Sequence, residues 1–135
     1  MKIKKGIEEA LKARERSYSP YSKFKGGTAI ELKDGTYIHG TNVENVSYGL
    51  TSCGERNALF SLICQGYNPK DIVAMYVVGD TPEPLSPCGA CRQVMIELVP
   101  REAKIVLANL EGKTRITNVE ELLPFAFVEF EGDND

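Results

Sequence analysis

With 135 residues, 42% of them hydrophobic and 26% charged, the chain is long enough to bury one sizeable core and too short for two, so residues 1–135 are expected to form a single domain. A net charge of -3 and a pI of about 5.3 leave no basic footprint for a polyanion, which weighs against a nucleic-acid partner and favours a small substrate. No apolar run follows the N-terminal lysines and no stretch is long enough to span a bilayer, so no membrane association and a cytoplasmic location are expected.

From Lys2 to about Tyr18, Ile3, Ile7, Ala10 and Leu11 recur at three- and four-residue intervals, the pattern of an amphipathic helix lying over one face of a sheet. Ser19-Pro20 disfavours helical geometry and ends it. Tyr21 to Gly27 reads as a loop running into a strand, and Phe24, on residue type alone, is a core aromatic. Thr28 to Leu32 and Thr36 to Asn42 flank Lys33-Asp34-Gly35, a hairpin signal. His39, the sole histidine, falls inside the second strand and reads as a surface or half-buried residue. Alternation puts Asn42 and Glu44 on one face, from which an amide and a carboxylate can hold the hydroxyl groups of one ligand. On residue types alone, a solvated turn is the simpler reading of Asn42 to Asn45.

Ser52 reads as the N-cap of a helix from Cys53 to Gln65, with Ala58, Leu59, Leu62 and Ile63 as its buried stripe and Gly66 as its stop. Cys64 on that helix has no motif partner and reads as a small core residue. The continuous apolar run from Ile72 to Val78 predicts a central strand covered on both faces. Thr81-Pro82-Glu83-Pro84 makes a rigid loop, and Arg92 to Val99 predicts a helix that lasts until Pro100. Lys104 to Leu110 and Lys113 to Thr117 are strands around a Glu111-Gly112 turn, and Asn118 caps a short helix through Leu123. The acidic tail after Phe130 is expected to be frayed and solvated. The order α, β, β, α, β, α, β, β, α is that of an α/β fold with a mixed five-stranded sheet and helices on its faces.

Two motifs carry the chemistry: Thr51-Ser52-Cys53-Gly54-Glu55-Arg56 and Ser86-Pro87-Cys88-Gly89-Ala90-Cys91-Arg92-Gln93. Each sits where a helix should begin, so backbone amides and helix dipoles point positive charge at the thiolates. A catalytic zinc site keeps three protein ligands and an open position, and Cys53, Cys88 and Cys91 supply three. In a reducing compartment a C-x-x-C is metal-binding or redox-active, and zinc is the better reading here. A closed structural site would need a fourth ligand, for which Cys64 and His39 remain, neither in a motif position. Glu55, two residues from Cys53, is close enough to exchange protons with a metal-bound water. Three thiolates around one Zn²⁺ leave a net negative site, and Arg56 is placed by sequence to donate to the sulfurs and withdraw that charge. Arg92 is a second candidate for the same task.

Cys-x-Glu followed by Pro-Cys-x-x-Cys is the signature of zinc nucleoside and nucleobase deaminases. Pro20-Tyr21-Ser22-Lys23-Phe24, Asn42-Val43-Glu44-Asn45, the motif from Ser86 to Gln93, and Glu121-Leu122-Leu123-Pro124 resemble, in order and across nearly the whole chain, segments of the homotetrameric zinc-dependent cytidine deaminases. The resemblance implies a three-layer α/β/α fold and one Zn²⁺ per chain on Cys53, Cys88 and Cys91. It also implies hydrolytic deamination of cytidine and 2'-deoxycytidine to uridine and 2'-deoxyuridine with release of ammonia, in pyrimidine salvage, by zinc-bound hydroxide with Glu55 as proton shuttle.

The same resemblance assigns Phe24 to the pyrimidine, Asn42 and Glu44 to the ribose, the backbone around Gly54 and Ser86 to Cys88 to the base edge, and Arg56 to the sulfurs. It implies a homotetramer with sites completed by neighbouring subunits, Tyr48 and Phe127 reaching across. Three residues depart from the family pattern: Gly26 replaces a large apolar residue and is expected to loosen the strand there, Gly54 replaces alanine, and Phe125 replaces glycine. A blasticidin-type or free-base deaminase is the alternative enzyme, against which the Asn42/Glu44 pair argues. A zinc-stabilised binding module is the alternative from another class, and it would need a fourth ligand and no Glu55.

Overall fold

In the computed structural model, which describes residues 2–129, the apolar run at 72–78 becomes the middle strand of the sheet. The elements in chain order are α1 (Lys2–Arg14), β1 (Gly26–Leu32), β2 (Tyr37–Thr41), α2 (Gly54–Cys64), β3 (Ile72–Gly79), α3 (Gly89–Leu98), β4 (Lys104–Asn109), β5 (Thr114–Thr117) and α4 (Val119–Leu122). Short 3-10 turns at Tyr48–Leu50 and Pro69–Asp71 complete them. The sheet order is β2-β1-β3-β4-β5, with β3 and β4 parallel and the other neighbours antiparallel. It is the mixed five-stranded sheet expected.

Strand alternation divides the core into two layers. Ile30, Met75, Val77, Ile105 and Leu107 face α2 and α3, where Ala58, Leu59, Leu62 and Met95 meet them. Ala29, Ala74, Tyr76, Val78, Val106 and Ala108 face α1 through Ala10. The outcome is three layers, α/β/α. Each fully buried Leu or Met of the first layer contributes about 2–3 kcal/mol.

Two glycines let helices rest on backbone. A Cβ at Gly27 would stand 2.1 Å from the Ala10 carbonyl oxygen, so α1 packs directly on β1. A Cβ at Gly40 would stand 2.3 Å from the Gly54 carbonyl oxygen and 2.5 Å from the Ala58 nitrogen, so the first turn of α2 lies against β2. That contact seats the segment from Cys53 to Arg56 against the sheet. On the other face α1 is tied to the sheet by Glu9, which pairs with Lys5 at 2.8 Å, His39 at 2.7 Å and Lys12 at 3.3 Å. Hydrogen bonds from Lys5, and then from His39 and Lys12, hold the Glu9 carboxyl down at about 2 against the opposing effect of burial. His39 therefore has a partner far from the cysteines.

Several expected boundaries move for tertiary reasons. The first helix stops at Arg14 rather than near Tyr18, because Tyr18 donates its N–H to the Asn42 carbonyl and accepts from the Glu44 N–H, pairing with the segment after β2. β1 begins at Gly26, so the glycine pair lies inside the strand, with Gly26 opposite Gly79 and Gly27 opposite both Thr41 and Val78. Ser52 bridges to Val43, and Cys53 itself is the N-cap of α2. α3 starts at Gly89, three residues before the predicted Arg92, with Cys88 as N-cap. Cys64 is exposed rather than a core residue, and Ile63 is 46% exposed, because the α2 stripe that faces the sheet runs through Ala58, Leu59 and Leu62. The acidic tail after Phe130 lies outside the described residues.

Candidate active site

Cys53 and Cys88 occupy the residue before the first turn of α2 and α3, and Cys91 lies in the first turn of α3. Helix α2 packs against α3, which brings the two N-terminal ends together. Cys53 Sγ and Cys88 Sγ are 3.7 Å apart, and all three sulfurs lie within 4.8 Å of one another. This is far beyond a disulfide, whose sulfurs stand about 2.05 Å apart. It matches the edge of roughly 3.8 Å in a tetrahedron with Zn–S bonds of about 2.3 Å. Among the described residues, the cluster of metal-capable side chains contains these three and no others. The donor set and spacing fit a zinc ion with one position left for a small ligand.

Charge in this cluster is unevenly held. The Cys53 thiol drops to about 5, chiefly through its hydrogen bond with Cys91 and with help from Arg56 and Cys88. Cys91 is pushed up, first by that same bond and then by burial. Three thiols this close ionise together only with a cation among them. Arg56 supplies part of that charge, with Nη2 donating to Cys53 Sγ at 3.6 Å, and its own proton is held more tightly by the sulfurs of Cys53 and Cys91. Arg92 does not share this task. Its guanidinium donates to the Pro87 carbonyl at 2.8 Å, the Leu122 carbonyl at 2.7 Å and Ser86 Oγ at 2.5 Å, tying the second cysteine loop to α4.

Glu55 lies in the first turn of α2 and is 7% exposed. Burial pushes its carboxyl up to about 7, and the neighbouring Cys53 adds to the rise while its own backbone amide and Arg56 oppose it. A carboxyl so poised can accept and release protons near neutral pH.

Around Glu55 opens a cavity of about 370 Å³, within the range of small-molecule pockets. Phe24, Asn42, Glu44, Tyr48, Cys53, Gly54, Glu55 and Cys88 all line it. Ser22 and Thr51, which belong to the family-like segments but had no expected role, line it too, as does Leu85. Asn42 and Glu44, two residues apart at the end of β2, hold the loop that carries Phe24. Asn42 Oδ1 accepts from the Gly26 N–H at 2.9 Å and from Ser17 Oγ at 2.7 Å, and its Nδ2 donates to the Phe24 carbonyl at 2.8 Å. Glu44 accepts the N–H groups of Tyr21 and Ser22 and the Ser22 hydroxyl, and that hydroxyl leads the interactions that keep its carboxyl below the usual range. One amide hydrogen of Asn42 and one lone-pair direction of Glu44 stay available to a ligand.

Phe127 does not line this cavity. Its carbonyl accepts from Gln93 Nε2 at 2.9 Å, and the residue is 63% exposed. Phe125 is fully exposed with φ of 55°, a left-handed conformation that favours glycine. A Cβ at Gly54 would stand 3.1 Å from Thr41 Cα and 3.2 Å from Thr28 Oγ1, so the absent side chain leaves the helix start close to the sheet. At Gly26 a Cβ would find its nearest neighbour at 3.9 Å, so the space for a side chain is there.

Residues 1–108 match the family model described as the cytidine and deoxycytidylate deaminase zinc-binding region. The chain is 54% identical over 121 residues to a cytidine deaminase of Halalkalibacterium halodurans, covering 90% of each. It is 46% identical over 127 residues to that of Sporosarcina psychrophila, covering 94% of this chain and 92% of the other. The crystal structure of cytidine deaminase from Burkholderia pseudomallei superposes with a TM-score of 0.89 at 52% identity, over 92% of this chain and 98% of that one. Likeness of this extent, on a chain whose three sulfurs already stand as zinc ligands do, makes the protein a member of the cytidine and deoxycytidylate deaminase family.

Proposed function

We propose that the chain, working as one domain, hydrolyses cytidine to uridine and ammonia, accepts 2'-deoxycytidine as well, and does so with Glu55 as its proton carrier. The observation behind this reading is a buried carboxyl lining the same cavity as two of the three clustered thiols. Zinc on Cys53, Cys88 and Cys91 would supply the Lewis acidity that makes water a nucleophile near neutral pH.

Glu55 takes a proton from the attacking water and delivers it to N3 of the pyrimidine, which makes C4 electrophilic. Once the oxygen has added at C4, the same carboxyl carries its remaining proton to the exocyclic amine, and ammonia leaves as the carbonyl forms. Phe24 packs on the base, and backbone groups at Gly54 and Ser86 to Cys88 hold its edge. Asn42 and Glu44 address the sugar with the donor and acceptor left over from holding the Phe24 loop. Arg56 draws charge from Cys53 and so limits the build-up of negative charge at the metal.

The working form is a homotetramer in which Phe127 meets a neighbour's pocket, whereas Tyr48, expected from the family resemblance to do the same, lines the cavity of its own chain. Supporting this, Val46, Tyr48, Leu50, Phe125 and Phe127 are all more than half exposed, an amount of bare apolar surface that association would cover. We place the protein in the cytoplasm, where reduced thiols are stable as zinc ligands, and no described helix is long and apolar enough to cross a membrane.

The test is a cytidine assay on the purified, zinc-loaded chain, followed by ammonia release or loss of cytidine absorbance, beside Glu55→Gln. Activity in the first and a loss of at least about 1,000-fold in the second, with zinc content unchanged, is expected. A fully active Glu55→Gln would remove the proton-carrier role. Light scattering tests the assembly, with the mass of four chains as the expected result.

A further inference from the structure

Ser22 belongs to no catalytic motif, yet it is bonded to two residues that line the nucleoside cavity. Its hydroxyl donates to Glu44 Oε2 and accepts the Phe24 N–H at 3.0 Å. Glu44 Oε1 is occupied by the N–H groups of Tyr21 at 3.0 Å and Ser22 at 3.1 Å. An ionised carboxylate offers about four lone-pair directions. Three are taken, and the fourth lies on Oε2, the oxygen whose other bond comes from the Ser22 hydroxyl. The last torsion of a glutamate is soft and roughly two-fold, so a fixed donor on Oε2 decides where the free direction points.

We propose that Ser22 is a positioning residue for sugar recognition: its hydroxyl turns the Glu44 carboxylate so that the free lone pair of Oε2 faces the cavity and accepts a ribose hydroxyl. This rests on the reading of Glu44 as a sugar ligand. Ser22 acts through Glu44 and takes no part in the proton transfers at the base. A site built to accept a hydroxyl rejects analogues that lack it, so Ser22 sets the discrimination between cytidine and its deoxygenated analogues without altering the chemical step.

The test compares the wild-type chain with Ser22→Ala, Ser22→Thr and Glu44→Gln, using the kcat and KM for cytidine and the inhibition constant of 2',3'-dideoxycytidine against it. Ser22→Ala is expected to raise the cytidine KM about tenfold with kcat within about twofold, and to leave the dideoxycytidine constant within about twofold. Ser22 is solvent-exposed, so the extra methyl of threonine has room, and Ser22→Thr is expected to restore the KM. An unchanged KM in Ser22→Ala, or a KM and a dideoxycytidine constant that rise together, overturns the proposal. Glu44→Gln separates the two levels. If it raises the cytidine KM while Ser22→Ala does not, the positioning role alone is lost. If it leaves the KM unchanged, the sugar role of Glu44 is lost and the proposal with it.

Discussion

Replacing Gly40 by alanine tests how the sheet seats the catalytic helix. The new Cβ would stand 2.3 Å from the Gly54 carbonyl oxygen, 2.5 Å from the Ala58 nitrogen and 2.6 Å from Ala58 Cβ. Comfortable contacts lie near 3.5 Å, so the start of α2 must lift by about 1 Å. Two of the three atoms are backbone and cannot rotate away. Overpacking of this kind costs about 3 kcal/mol, the upper end of its usual range, which lowers the thermal midpoint by roughly 10 °C. The effect on chemistry is larger than the effect on stability. Cys53 and Glu55 ride on the start of α2 while Cys88 and Cys91 belong to α3, so a lift of α2 pulls the sulfur triangle open on one side. A misplacement of about 1 Å costs on the order of 100-fold in rate. The assay is kcat on cytidine together with bound zinc per chain and thermal unfolding. A Gly40→Ala protein with full activity, full zinc and an unmoved midpoint would refute the claim that backbone contact at β2 positions the site.

Acid should weaken the tie between α1 and β2. Folded Glu9 titrates at about 2, below its ordinary 4.5, so its contribution is complete above about pH 5 and is lost as the pH falls toward 2. Lys5 and Lys12 are 53% and 62% exposed, and solvent screening brings the contribution to about 1–2 kcal/mol. Glu9→Gln is expected to flatten the acid limb of unfolding free energy between pH 5 and 2, and an acid limb like the wild type's would contradict this. At Phe125, where φ is 55°, Phe125→Gly is expected to relieve about 1 kcal/mol of left-handed strain within the chain while removing a ring that association covers, so the variant tetramer is expected to dissociate at a higher protein concentration than the wild type. Unchanged dissociation, read by light scattering on dilution, would mean that the ring stays bare in the assembled protein.

The parts of the fold legible in the sequence are those with short-range causes. The run at 72–78 is apolar because both faces of β3 are covered, with the one hydroxyl, that of Tyr76, bonded to Glu31, and Asp34-Gly35 turns the hairpin because Gly35 takes φ of 90°. The cysteine spacing was equally readable, since C-x-x-C at a helix start puts two sulfurs on one turn. What escaped the sequence depends on partners far along the chain. Ser52 looked like an N-cap, yet its backbone is spent on Val43, which leaves the cap position to Cys53. Gly89-Ala90 carries little helical signal of its own, and α3 starts there with Cys88 as N-cap, its carbonyl accepting the Arg92 N–H. Arg92 has the composition of a sulfur partner, but its acceptors at Pro87, Leu122 and Ser86 draw it away. Ser22 could have been suspected only from knowing that Glu44 lies beneath its loop.

The open coordination position is best tested by zinc-edge X-ray absorption on the zinc-loaded chain. Three sulfur neighbours near about 2.3 Å and one lighter atom at about 2.0–2.2 Å, without imidazole scattering, are expected. Four sulfurs would mean that Cys64 closes the site, and imidazole scattering would mean that His39 does; either result would contradict a vacancy served by Glu55.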